Sequence, residues 1–104
     1  MTDFYRAIAD PIRRQILLMV SLKEHTQSEI VNSFPISQPA IKKHLTILKE
    51  ENLIIERRDG KFCFYKLNTK SYEHHYKSLQ HELGMIMEQK LARLKSYLEE
   101  EDEK

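Results

Sequence analysis

Three sets of side chains in this sequence could do chemistry. Between residues 73 and 82 stand Glu73, His74, His75, His81 and Glu82, carboxylates and imidazoles of the kind that bind zinc or nickel. His74 and His81, seven apart, would share one face of a helix, and a symmetric pair of chains could double them. The second set is one thiol, Cys63, a candidate redox trigger that cannot close an internal disulfide and suits a reducing compartment. The third is Gln38, Lys42 and Lys43, followed by Arg57, Arg58 and Lys61, amide and cationic groups that suit phosphates and base edges. Catalysis has no comparable material. There is no glycine-rich phosphate loop and no serine or cysteine nucleophile in a recognisable setting, and two glycines leave little for a strained active-site turn.

The balance of charge separates these sets. The net charge is only +1, but residues 1 to 70 hold 12 Lys and Arg against 8 Asp and Glu, and residues 71 to 104 hold 5 against 8. The whole excess of the first part lies between Ile36 and Lys70, with 8 basic and 4 acidic residues, where the third set stands. At 104 residues the chain suffices for one domain with a single core, expected over 1–98, with 99–104 as an acidic disordered tail. The longest apolar run, Ile16 to Val20, is far short of a bilayer span, and the amino terminus has no signal-peptide pattern. No membrane is expected, and the location is expected to be cytoplasmic.

The elements that must position these groups follow from caps and periodicity. Asp3 caps a short helix through Ala9, with Phe4, Ile8 and Tyr5 as its apolar positions. Asp10-Pro11 opens a second helix, an N-cap carboxylate followed by a proline at the first helical position. It buries Ile12, Ile16, Leu17, Met19 and Val20 and stops near Leu22. Thr26 and Glu29 form a capping box for a third helix with Ile30, Val31 and Phe34 inward. Ser37 caps a fourth, in which Ile41, Leu45 and Leu48 share a face while Gln38, Lys42, Lys43, Thr46 and Lys49 occupy the other. Asn52 closes it in a left-handed conformation. Asp59-Gly60 then predicts a type I′ hairpin between strands at about 53–58 and 61–67, with Cys63, Tyr65 and Leu67 inward and Phe62 and Phe64 on the other face. An inward strand thiol behaves mostly as a small hydrophobe.

A last helix is expected over 71–98. Tyr72, Tyr76, Leu79, Leu83 and Ile86 make one stripe, continued by Met87, Leu91, Leu94 and Leu98. About 28 residues reach roughly 42 Å, more than a domain of this size can cover, so the surplus apolar face calls for another chain.

The order of elements carries the functional reading. Helices over 26–51 joined by a tight turn make a helix-turn-helix, and the hairpin at 53–67 makes a wing: a mainly α fold with a small β-hairpin. In such a unit the second helix enters the major groove of double-stranded DNA. Gln38 can pair with adenine, Lys42 and Lys43 reach guanine acceptors or phosphates, and Pro39 and Ala40 can meet a thymine methyl. Ser37 serves as the cap beside a phosphate, Thr46 lies on the same face, and Arg57, Arg58 and Lys61 grip the backbone or minor groove.

Three stretches carry a resemblance: AIADPIRRQIL (7 to 17), ISQPAIKKHLTILKEENLI (36 to 54) and RRDGKFCFYKL (57 to 67). They resemble the A-x-x-D-P-x-R-R-x-I-L start, the S-Q-P/S-x-[VI]-[SK]-x-H-L-x-x-L recognition helix and the R-x-G-[RK]-x-x-x-Y-x-L wing of the ArsR-type winged-helix repressors. The resemblance implies a homodimeric DNA-binding repressor paired through its first and last helices, here Phe4, Tyr5 and Ile8 with Tyr76, Leu79, Leu83, Ile86, Met87, Leu91 and Leu94. It also implies that His44 is packed or faces phosphate. Many such proteins release DNA on binding metal, but the family's Cys-x-Cys site is replaced here by Thr26, Gln27 and Ser28 before Glu29-Ile30. Its last-helix site, Asp-x-His with a later His-x-x-Glu, does not match the spacing of His75 and His81, and Gly84 stands three after His81. No metal and no cofactor are expected, and relief of repression falls to an unknown small molecule or sequestering partner. The competing readings are a metal- or thiol-responsive repressor on the same fold, and a winged-helix interaction module without DNA binding.

Overall fold

The computed structural model describes residues 3–102, with side chains through Glu99. The chain divides into two compact units between Tyr72 and Glu73.

The first unit begins with α1 (Phe4–Ala9) and α2 (Pro11–Leu22). Asp3 accepts from the Arg6 backbone N–H at 2.9 Å. Asp10 accepts from Ile12 and Arg13 at 2.8 and 3.2 Å. Burial pushes the Asp10 carboxyl up, but these two N–H groups, with the nearby charges, outweigh it and hold it below its ordinary value. The two arginines that follow finish the corner. Arg13 donates to the carbonyls of Ala7 and Arg6 at 2.7 and 2.9 Å. Arg14 donates to those of Ile8 and Ala9 at 2.6 and 3.0 Å. The D-P-x-R-R string is thus a self-contained joint: one carboxylate satisfies the start of α2 and two guanidinium groups satisfy the end of α1.

A short strand, β1 (His25–Thr26), precedes α3 (Gln27–Asn32). It was not foreseen. Thr26 and Glu29 form the expected capping box, at 3.1 and 3.2 Å. The fourth helix, α4 (Gln38–Glu50), is capped by Ser37, whose hydroxyl accepts from Ala40 at 3.3 Å. It closes as foreseen, with Asn52 at φ +58°. The Asn52 N–H reaches the Lys49 carbonyl and the Leu53 N–H the Leu48 carbonyl, both at 3.0 Å, the paired bonds of a Schellman motif. Leu48 and Leu53, the hydrophobic pair of that motif, are fully buried.

Strands β2 (Ile54–Asp59) and β3 (Phe62–Leu67) form the hairpin, and the antiparallel sheet runs in the order β1-β3-β2. Asp59 pairs with Phe62, so the central turn residues are Gly60 and Lys61, one place later than expected. Only Gly60 has positive φ, at +62°. A type I′ turn needs two such residues, and positive φ at the first alone is the II′ pattern. Ile16, Leu17 and Val20 of α2, Ile30 of α3, and Ile41, Leu45 and Leu48 of α4 pack with Leu53, Ile54 and Tyr65 to make the core. Ile12, Met19, Val31 and Phe34 are only partly covered. Phe4 belongs to this core, edge-on to Tyr72 at 6.3 Å.

The last helix, α5, runs from Thr69 to Asp102, two residues earlier and four later than the expected 71–98. Asn68 caps it, accepting from Ser71 at 3.3 Å. Residues 99–102, read as disordered tail, are helical; 103 and 104 lie outside the described residues. In the second unit the side chains of Tyr76, Leu83, Ile86, Met87, Leu91, Leu94 and Leu98 are exposed. Among the described residues no helix is long and apolar enough to cross a membrane.

Candidate nucleic-acid interface

The exposed side of α4 and one face of the hairpin border a common cleft. Strand geometry decides which wing residues join it, because successive side chains alternate between faces. On β2 and β3 the pairs Glu56 with Tyr65 and Arg58 with Cys63 turn toward the helices. Gln38 and Lys42 of α4 meet Arg58, Lys61, Phe62 and Cys63 around a volume of about 440 Å³, whose remaining wall is Thr26, Gln27, Ser28, Val31 and Asn32. A smaller hollow of about 210 Å³ continues it along α4 past Thr46 and Lys49 to Glu56, and Lys42 and Arg58 border both.

The cations of this surface differ in how they are held. Lys49 lies 3.2 Å from Glu56, which also accepts from the Tyr65 hydroxyl at 3.0 Å. Arg58 is 3.6 Å from the same carboxylate, with 78% of its side chain exposed. Burial raises the Glu56 carboxyl, but Tyr65, Lys49 and Arg58 together pull it below its ordinary value. Burial, with Cys63 and Glu56 beside it, pushes the Tyr65 phenol up. The Lys61 ammonium lies 5.6 Å from the centre of the Phe62 ring. Ser37, Gln38, Pro39, Lys42 and Lys43 are exposed and Ala40 is half-buried. Lys43 borders neither hollow.

Two residues of the expected site are otherwise engaged. The Thr46 hydroxyl donates back to the Lys42 carbonyl at 2.9 Å, so its one proton is used within the helix. Arg57 turns to the opposite face of the sheet, where it donates to both oxygens of Glu24 at 3.3 and 2.7 Å. His44 is packed: its Nδ1 lies 3.0 Å from the Arg13 guanidinium, which can only donate. Sequence reasoning missed the α3 wall of the cleft and the role of Glu24. The capping box placed Thr26 and Gln27 at a helix start, but nothing local says that this start faces the wing. No group of three or more His, Cys, Asp or Glu among the described residues is arranged to hold a metal ion; His74 and His75 lie edge-to-face at 5.7 Å.

A helix-turn-helix whose second helix shares a basic cleft with a β-hairpin defines a winged helix-turn-helix regulator of transcription. The comparisons narrow that class. Residues 10–56 match the family model for bacterial regulatory proteins of the arsR family. The chain is 42% identical over 69 residues to the transcriptional repressor SdpR of Bacillus subtilis, a match covering 66% of this chain and 77% of that protein. It is 39% identical over 64 residues to a probable mercury resistance operon repressor of Streptomyces lividans, covering 62% of this chain and 51% of the relative. A crystal structure of a possible transcriptional regulator for arsenical resistance superposes with a TM-score of 0.72 at 28% identity, over 78% of this chain and 84% of the other. The chain belongs to the arsR family of DNA-binding transcriptional regulators.

Proposed function

We propose that the protein is a cytoplasmic repressor that binds a pseudo-palindromic operator as a two-fold dimer. The observation that carries the assignment of residues is the shared cleft: Gln38 and Lys42 on the helix and Arg58 and Lys61 on the wing line one concave surface. Gln38, Lys42 and Lys43 read base edges in the major groove, with Pro39 and Ala40 against thymine methyls. The Ser37-capped helix start, Arg58 and Lys61 hold phosphates, and Thr46, its hydroxyl proton bonded to Lys42, is a lesser contact on the same face. Arg57 is removed from the contacts. Dimerisation falls to Tyr5 and Ile8 of α1 with Tyr76, Leu79, Leu83, Ile86, Met87, Leu91 and Leu94 of α5, most of them exposed.

Gln38→Ala should cost about 1 to 3 kcal/mol on the selected operator and relax base choice at one position, whereas Lys61→Ala should weaken every duplex alike and lower the salt slope by about 1. Fluorescence anisotropy on operator and mixed-sequence duplexes over a range of salt measures both. Equal losses on both duplexes for the two variants would overturn the division of roles.

A further inference from the structure

Arg57 and Arg58 are neighbours of the same type on the wing, yet the fold uses them differently. Phe64 of β3 pairs with Thr26 of β1 on one side and with Arg57 of β2 on the other. The Arg57 guanidinium lies over the Phe64 ring, 4.4 Å from its centre, and reaches across the middle strand to Glu24, just ahead of β1. Both carboxylate oxygens are engaged, at 3.3 and 2.7 Å, and Asp59 adds a weaker contact at 3.8 Å. The result is a clamp across all three strands. Its far end is anchored two residues before Thr26, the residue that caps α3.

We infer that Arg57 is a positioning residue that ties the wing to the start of the helix-turn-helix through Glu24 and so sets where Arg58 and Lys61 meet DNA. Several features agree. A planar guanidinium that stacks and binds a carboxylate bidentately has its geometry fixed as a lysine would not. The Arg57 hydrogen bond holds the Glu24 carboxyl below its ordinary value, and Lys66 adds to this. Arg58, one residue on, points to the other face and borders the cleft, so a change in the twist of β2 at Arg57 moves it directly. Backbone pairing joins β1 only to β3, at His25 with Tyr65 and Thr26 with Phe64; the Arg57–Glu24 contact adds a direct tie from β2 to the segment that leads into β1. The inference rests on the wing contacting DNA.

The test uses the full chain and a labelled mixed-sequence duplex over a salt series. Glu24→Gln removes a negative charge, which by simple electrostatics should tighten DNA binding. A positioning role predicts the opposite: about two- to fivefold weaker binding, with the slope of log affinity against log salt unchanged. Arg57→Gln should show the same loss and the same slope, while Arg58→Gln should lower the slope by about 1. The exchanged pair, Glu24→Arg with Arg57→Glu, keeps the net charge and should recover most of the affinity, which also decides the matter if a single variant melts early. Binding by Glu24→Gln as tight as wild type or tighter, a slope drop for Arg57→Gln, or an exchanged pair as weak as either single variant would overturn the clamp. Failure of the wild type itself to bind in a salt-sensitive way would instead remove the DNA reading on which it rests.

Discussion

The helices α4 and α5 are both amphipathic in sequence, and they end in opposite conditions. Every position of the α4 stripe, Ile41, Leu45 and Leu48, is buried, so its polar face is the only one left to meet a partner. The α5 stripe from Leu83 to Leu98 is exposed, so its apolar face is the one that needs company. The same pattern of residues therefore means two things. Where the stripe is covered, as on α4, the polar side is left to meet DNA in the proposed function; where it is exposed, as on α5, the stripe is the surface that the proposed dimer would bury.

That contrast can be broken most sharply by deletion from each stripe. Leu48→Ala should cost about 2 to 5 kcal/mol in chemical denaturation, because it empties a fully buried site beside Leu53. Leu91→Ala should leave the melting of the isolated chain nearly unchanged and show its effect in dimer dissociation, read by analytical ultracentrifugation across concentrations. Equal folding losses in the two variants would erase the distinction.

A smaller effect belongs to Asp10, which supports the covered half of the molecule. Asp10→Ala should lose about 1 kcal/mol as an N-cap. Its folded carboxyl titrates below the ordinary value, so the charged form contributes stability at and above the pKa of the unfolded chain. That contribution fades as pH falls through the lower, folded value. Urea unfolding at steps from neutral to strongly acid pH should show the gap between wild type and Asp10→Ala closing on acidification; a gap independent of pH would mean that the charge contributes nothing.

The smallest effect sharpens the other half. Beyond its own turn of helix backbone, a Cβ on Gly84 would meet nothing within 4 Å, so Gly84→Ala should stabilise α5 by about 0.5 to 1 kcal/mol through helix propensity alone. If the variant gains helicity by circular dichroism yet dimerises less well, the partner helix approaches closely at Gly84; if dimerisation improves in step, it does not.

How much of this was legible in the sequence depends on the distance over which each feature is made. The caps at Asp3, Asp10, Thr26 and Ser37 and the left-handed Asn52 were readable because each is settled within about four residues. The hairpin was readable but its centre was misplaced by one, since Asp-Gly fits either register and only strand pairing decides. The strand at His25–Thr26 is two residues long and exists only because β3 lies beside it, so no local signal announces it. Arg57 is the instructive case. Its partner Glu24 is 33 residues away and could not be named, but the alternation of strand faces was available and already separated Arg57 from Arg58. Treating a run of cations as one patch ignored a period of two.

The bonds that close α4 have a mechanical consequence. Because Leu48 and Leu53 are buried together where the helix ends and the strand begins, helix and hairpin leave a common root like the arms of a calliper, whose opening the inferred Arg57 tie would hold. In the proposed function a duplex would have to offer its groove and its neighbouring backbone at that gap, and sequences that widen or narrow easily would be favoured without any base being touched.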